Sequence, residues 1–279
     1  MINKNTIMYQ ITETSPFMMS FVIVTKNNNV IVIDGGRTED MLLLKQYIGG
    51  RHIAAWILTH AHNDHIGGMI DEYRKNRWAD FDIGKIYYNF PMEFLNIPEL
   101  QNNADITEML PAFAEILPEI QHLTHIAKEG ESVTVDEVKI DFIFTYRNNI
   151  RANIINNSSL VFKVITPDTS VLFLGDIGPE AGDILYFESR DLLKSDMVQM
   201  SHHGAFGCGM EVYAAVKPDA CLWCCREENY NGLKIGTRNY EVFKKIPRYF
   251  PATVTREWME ILGVKTHYVT KDGTNEIVL

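Results

Sequence analysis

Cysteine is scarce in this chain of 279 residues: Cys208, Cys221, Cys224 and Cys225 are the whole set. Four thiols crowded late in the chain lack the spread of a disulfide framework, and they suit a reducing compartment. Long apolar runs are missing too, since none approaches the ~20 residues needed to span a bilayer. Residues 1–10 lack the basic-then-apolar pattern of a secretory signal, so the expected location is the cytoplasm, with no membrane partner. Positive charge is in deficit, with 26 Lys plus Arg against 36 Asp plus Glu and a net charge of −10. A broad electrostatic grip on nucleic-acid phosphates would need a local basic patch, so the balance disfavours a nuclease. Eighteen glycines and ten prolines are too few for collagen-like or largely disordered material. The remainder, 46% hydrophobic and 22% charged, describes an ordinary globular chain that we expect to form a single domain over residues 1–279.

Two β-rich runs, residues 20–25 (SFVIVT) and 30–33 (VIVI), flank an asparagine turn and predict a hairpin ending in Asp34-Gly35-Gly36. A helix opens at Thr38, with Met41, Leu44, Tyr47 and Ile48 as its apolar face. Residues 53–59 (IAAWILT) read as a buried strand, Gly67-Gly68 leads into a helix through Arg77, and residues 85–89 read as a short strand. Over residues 104–125 apolar side chains recur three or four apart, which predicts a helical insertion around 91–127 whose stripe packs on the body of the domain. Pro111 and Pro118 are expected to break or kink it. Residues 131–146 alternate as paired strands. Residues 160–166 and 170–174 form a second hairpin that runs into Gly175-Asp176, echoing the first half. Strands at 196–200, 220–225 and 266–270 follow, with helical stretches near 211–216 and 239–246. Two β-rich halves with interspersed helices predict two packed sheets covered by helices.

The chemistry concentrates in Thr59-His60-Ala61-His62-Asn63-Asp64-His65-Ile66-Gly67-Gly68, where four metal-ligating side chains fall within six residues at the end of a buried strand. Strand alternation places His60 and His62 on one side, and a turn eased by the two glycines can swing Asp64 and His65 to a nearby point. One strand end can thus serve two metal ions.

The run His60-Ala-His62-Asn-Asp64-His65 resembles the metal-binding signature of the metallo-β-lactamase fold superfamily. Val32-Ile33-Asp34-Gly35-Gly36 before it, and Phe173-Leu174-Gly175-Asp176 and Ser201-His202-His203-Gly204 after it, match in order and spacing. The resemblance implies an α/β fold, a four-layer αβ/βα sandwich of two mixed β-sheets flanked by helices, with metals at one edge of the sheets. It implies His60 and His62 as ligands of a first metal, Asp64, His65 and one histidine of the His202-His203 pair, His203 by similarity with His202 as the alternative, as ligands of a second, and Asp176 as a bridging carboxylate. His202 would face substrate, and Asp34 and Asn156 would stand behind the ligands. Imidazole and carboxylate donors suit zinc, with manganese or iron as alternatives, and two ions are expected. Oxygen-reducing di-iron members carry a carboxylate where His62 stands, which points this chain toward hydrolysis.

Many relatives of this kind supply a further histidine to the first metal from the loop before residues 160–166, where this chain has Asn156-Asn157-Ser158-Ser159. The first site is therefore expected to be the weaker. That run resembles the branch containing the C-terminal domain of DNA-internalisation competence proteins and phosphorylcholine esterases, which implies phosphodiester substrates. Asn229-Tyr230-Asn231-Gly232-Leu233-Lys234 lacks the histidine that the competence-like domains often carry. Arg226, Lys234 and Arg238 could meet an anionic substrate, although exposed basic residues usually just solvate a surface. Trp223, Tyr230 and the cysteines read as packing residues.

The expected function is a metal-dependent phosphodiesterase acting on a small anionic ester through a metal-bound hydroxide, with Asp64, Asp176 and His202 as candidate catalytic residues. Alternatives are hydrolysis of a lactone, thioester or lactam, and a metal- or ligand-binding module without turnover. The sequence leaves oligomeric state open.

Overall fold

The computed structural model describes residues 4–14, 17–100, 102–232 and 248–279. The first sheet takes β1 (Ile7–Gln10), β2 (Ser20–Val24), β3 (Val30–Asp34), β4 (His52–Ile57), β5 (Asp82–Ile83), β6 (Ile86–Tyr88) and β7 (Thr124–Ile126). The second takes β8 (Ser132–Val135), β9 (Val138–Phe144), β10 (Val161–Ile165), β11 (Ser170–Phe173), β12 (Met197–Gln199), β13 (Ala220–Trp223) and β14 (Thr266–Val269). The final strand, β15 (Asn275–Val278), returns to the first sheet beside β1. Strand order is β15-β1-β2-β3-β4-β6-β7 in one sheet, with β5 against β4, and β14-β13-β12-β11-β10-β9-β8 in the other. Both sheets mix antiparallel hairpins with parallel pairs, as at β3/β4 and β11/β12.

Alternation along the strands explains the layers. In β3, Val30 and Val32 face the helices while Ile31 and Ile33 face the other sheet. Helices α1 (Met41–Ile48), α2 (Gly68–Asn76), α3 (Ala104–Thr107) and α4 (Leu110–Ile120) precede the second sheet. Of these, α1, α2 and α4 bury Leu44, Ile70 and Phe113 on the first sheet's outer face. Helices α5 (Pro179–Ser189), α6 (Met210–Val216), α7 (Glu227–Tyr230) and α8 (Ala252–Ile261) belong to the second half. Leu185 of α5, Val212 of α6 and Met259 of α8 cover the second sheet. Between the sheets lies an apolar layer in which Phe173 stacks on Phe162, centroids 5.1 Å apart, and meets Phe21 edge-on at 5.0 Å. A strand buried on both faces reads as a continuous apolar run, which is how residues 30–33 and 160–166 look in the sequence.

Several expectations need correction. The helical segment ends at Leu123, because residues 124–126 are captured as β7 by parallel pairing with β6. Pro111 opens α4, where a missing N–H costs nothing, and only Pro118 lies inside it. The predicted strand over 53–59 stops at Ile57. Gly67 and Gly68 do not make a tight turn, since both have right-handed helical backbone angles. Gly68 is needed for close packing instead: a Cβ there would stand 2.6 Å from the Arg37 carbonyl and the Met41 side chain. Helices α5 and α8 and the β1/β15 pair have no counterpart in the predictions, and β1 finds its partner some 265 residues away. The helix predicted near 239–246 lies outside the described residues. Among the described residues, no helix is long and apolar enough to cross a membrane, and all four cysteines are buried and free.

Removing the ring that joins the two sheets should be costly. Phe173→Ala is expected to lose about 3–5 kcal/mol in urea unfolding, and Phe173→Leu under about half of that. Equal, small losses would mean that the inter-sheet layer relaxes around the void.

Candidate metal centre

Asp34 ends β3 with a left-handed backbone, φ 53°, and no exposure to solvent. That twist turns its carboxylate toward the neighbouring strand end. Oδ1 accepts from the Thr59 N–H at 2.8 Å, while Oδ2 accepts from Thr59 Oγ1 and His65 Nδ1, both at 2.7 Å. The Trp56 indole donates to the Asp34 carbonyl, and the Gly35 N–H donates to the His65 carbonyl at 2.7 Å. Residues 63–67 form a single wide π-type turn continuous with α2, a rare local geometry common at functional sites, and it carries Asp64 and His65 toward the second sheet.

The second sheet answers with two loops. After β11, Gly175 has φ 55° and fits against Ser159, whose Oγ accepts from the Asp176 N–H at 2.9 Å. Gln199, buried at the end of β12, accepts from Leu174 N and donates to the Gly175 carbonyl. Asn157 accepts from Gly178 N and Ala181 N, pinning the loop to the start of α5. Beyond β12, His202 and His203 both have positive φ, 52° and 58°, and His203 Nδ1 donates to the Cys224 carbonyl at 2.8 Å. Gly204 has φ 85° and leaves room for Trp223, whose ring would be 2.4 Å from a Cβ there.

These loops converge on one oxygen. Asp176 Oδ2 lies 3.3 Å from His65 Nε2, 3.4 Å from His203 Nε2, 3.9 Å from His60 Nε2 and 4.0 Å from His202 Nε2. His203 Nε2 is also 3.4 Å from Asp64 Oδ2, and His62 Nδ1 is 3.1 Å from His60 Nε2. Two groups have geometry that could hold an ion: His60, His65 and Asp176, and Asp64, His65 and His203. His62 and His202 stand outside both groups. His62 touches His60, and His202 is backed by the Asn156 amide at 3.5 Å. The resemblance sets His60 with His62 and Asp64 with His65; in the fold His62 Nδ1 stays beside His60 Nε2, and His65 in addition belongs to both candidate groups.

The electrostatics are strongly complementary. Burial works against charge on His65, yet the Asp176 and Asp34 carboxylates hold its pKa well above the ordinary imidazole value. Burial likewise opposes protonation of His203, and Asp176 and Asp64 raise its pKa to about 10. His60 is pushed well below the usual value by burial and by His65, and His202 is lowered by burial. Burial would raise the carboxylate pKa of Asp176, but His65 and His203 hold it well below its normal range.

Among the described residues, His65 Nε2, His203 Nε2 and Asp176 Oδ1 are buried without a hydrogen-bond partner, as are Asn156 Oδ1 and Glu13 Oε1 and Oε2. Buried polar atoms are normally paired, and three orphans converging in one imidazole–carboxylate cage fit divalent cations.

Residues 17–205 match the metallo-beta-lactamase superfamily. The chain belongs to that superfamily. Most of its members are metal-dependent hydrolases. Comparison with curated proteins finds no match. Among solved structures, the metallo-beta-lactamase fold protein YhfI from Bacillus subtilis aligns with a TM-score of 0.55 and 11% identity, over 98% of this chain and 100% of that one. A diphosphatase of the PhnP family aligns at 0.50 and 12%, over 98% of each chain. CmlA, a diiron beta-hydroxylase from Streptomyces venezuelae, aligns at 0.55 and 11%, over 99% of this chain and 55% of that one. At such identities the likeness is one of fold, and it agrees with the four layers described above.

Other residues show their local roles. Trp223 is fully buried beneath Gly204, and Arg226 donates to the Thr14 carbonyl. Lys234 and Arg238 lie outside the described residues. Thr59 and Gln199 escaped the sequence reading, although a glutamine at the end of an apolar strand (DMVQM) is a signal that a loop needs its amide.

Chelator treatment should lower the melting temperature, and zinc or manganese should restore it. Asp34→Asn, which cannot accept all three hydrogen bonds, should weaken metal affinity about 10- to 100-fold in competition with a chromophoric chelator. Unchanged affinity would make Asp34 a turn residue only.

Proposed function

We propose that this member of the superfamily is a metal-dependent phosphodiesterase for small anionic esters, built as one domain. The observation that carries the reading is the position of Asp176 Oδ2, within 4.0 Å of four imidazole nitrogens supplied by both halves of the chain. His60, His62 and Asp176 would hold a first cation, and Asp64, His65, His203 and Asp176 a second, with zinc favoured by the imidazole-rich set. Two such cations would supply positive charge for the oxygens of the reacting centre and lower the pKa of water toward neutrality.

The chain's own residues do the positioning. Asp176 stands between the two groups, where its carboxylate orients the attacking water against the ester. Asp34 and the Cys224 carbonyl fix the ring planes of His65 and His203, so the cage needs little reorganisation when charge develops on the substrate. His202 sits at the open side, 24% exposed, with its ring directed at the same centre, and it contacts the departing oxygen. Asn157 and Ser159 serve the Asp176 loop, which leaves Asn156 as the residue of that run that faces His202. The fold likeness to a diphosphatase of the PhnP family supports phosphorus esters over lactones and thioesters, and the net charge of −10 supports small substrates over nucleic acid.

Protein purified without chelator should contain two metals per chain by elemental analysis and hydrolyse bis-p-nitrophenyl phosphate. Turnover of a lactone with none of the phosphodiester would overturn the substrate class. His202→Ala should keep its metal and lose about 10²–10⁴ in kcat. Full turnover in that variant would remove His202 from the reaction.

A further inference from the structure

Among the described residues, twelve that are not glycine have a left-handed backbone, and five of them, Phe17, Asp34, His202, His203 and Phe206, gather around the cage. This conformation is disfavoured for any residue with a Cβ and most for bulky ones, and it concentrates where function over-determines the backbone. Asp34 and His203 have evident reasons, since their side chains reach His65 and Asp176. Phe17, at φ 56°, and Phe206, at φ 63°, place neither ring among the cage ligands or in the core, although the Phe206 backbone is tied to His202 and to the Phe250 carbonyl. Phe17 is 43% exposed and Phe206 is half-buried, so neither ring is repaid by deep burial.

Their rings instead stand beside the two histidines. Phe17 meets His203 edge-on at 5.7 Å, and Phe206 meets His202 edge-on at 6.2 Å, with the histidine rings 6.2 Å apart. Tyr249 lies 6.3 Å from Phe206, and the Phe206 N–H donates to the Phe250 carbonyl at 2.7 Å, which holds that loop in place. We propose that Phe17 and Phe206 are specificity residues that flank the mouth of the cage and select esters carrying a planar aromatic group beside the reacting phosphorus. The inference rests on the phosphodiesterase reading and adds the substrate class. Aromatic side chains favour planar groups through offset or edge-on contact, and the geometry places that contact next to His202, on the side where the leaving group departs. A quaternary ammonium group is disfavoured there, because the Arg37 side chain donates to the Phe17 carbonyl and brings a cation to the same rim.

Calorimetric titration of the metal-loaded protein with phenylphosphonate and methylphosphonate tests this without turnover. The wild type should bind the phenyl compound roughly tenfold tighter. In a Phe17→Ala/Phe206→Ala double variant the ratio should fall below about twofold, with methylphosphonate affinity and metal content unchanged. If that variant loses metal, Phe17→Leu and Phe206→Leu, which keep apolar bulk without a ring, carry the comparison: a ratio reduced below about threefold supports the slot, and a retained tenfold ratio overturns it. Equal binding of both compounds by the wild type would overturn the slot while leaving the phosphorus-ester reading intact. Binding of neither would overturn both.

Discussion

The buried carboxylate of Asp34 is the constraint on which the rest of the site depends. It has no exposure to solvent and, among the described residues, no lysine or arginine pairs with it; its partners are the Thr59 backbone, the Thr59 hydroxyl and His65 Nδ1. Losing any of them would leave an unsatisfied charge in the interior, which is expensive enough to keep the end of β3, the residues after β4 and the start of the π-type turn in one arrangement. His65 is thereby presented to Asp176 by its other nitrogen. The left-handed backbone of Asp34 is the local strain that this arrangement sustains.

The cage is a product of sheet packing. The first half contributes His60, His62, Asp64 and His65 from one stretch of chain, and the second contributes Asp176 and His203 from the ends of two strands. What brings them together is the apolar layer between the sheets, closed next to the site by the Leu160 N–H donating to the Thr59 carbonyl. The close fit of Gly175 against Ser159 and Thr59 shows how little room separates the two halves there. Stability and chemistry are therefore coupled: like charges on Asp34, Asp64 and Asp176 are tolerated in a small volume only because imidazoles, or cations, stand between them.

The fold hosts more than one chemistry, since its solved examples include a diphosphatase and a diiron beta-hydroxylase. Function accordingly resides in the site and its rim. In this chain the ligand-bearing loops are held by backbone and amide hydrogen bonds from Thr59, Ser159, Asn157 and Gln199, while the rim carries Phe17, His202 and Phe206. The first group sets where charge is stabilised, and the second sets what can reach it.

Much of this was legible before folding was considered. The double-sheet architecture could be read from apolar runs bounded by turns, because strands buried on both faces leave that signature, and the metal-ligating residues could be read from histidine and aspartate packed into one strand end. Local pattern could not reveal β1 beside β15, because their pairing joins opposite ends of the chain, nor the role of Gly68, whose missing side chain matters only once α2 lies against residues 37–41. Spacing sees only neighbours along the chain, so it sets His60 beside His62 and Asp64 near His65 but does not show that His65 also approaches His60, Asp176 and His203. The sequence by itself determined the donor types and the strand ends that carry them. Only the tertiary structure decided that His65 joins both groups, that His203 lies against Asp64 and Asp176 while His202 lines the open side of the same centre, and that two strained phenylalanines stand at the mouth, because each of these depends on loops from two sheets meeting across a packed core.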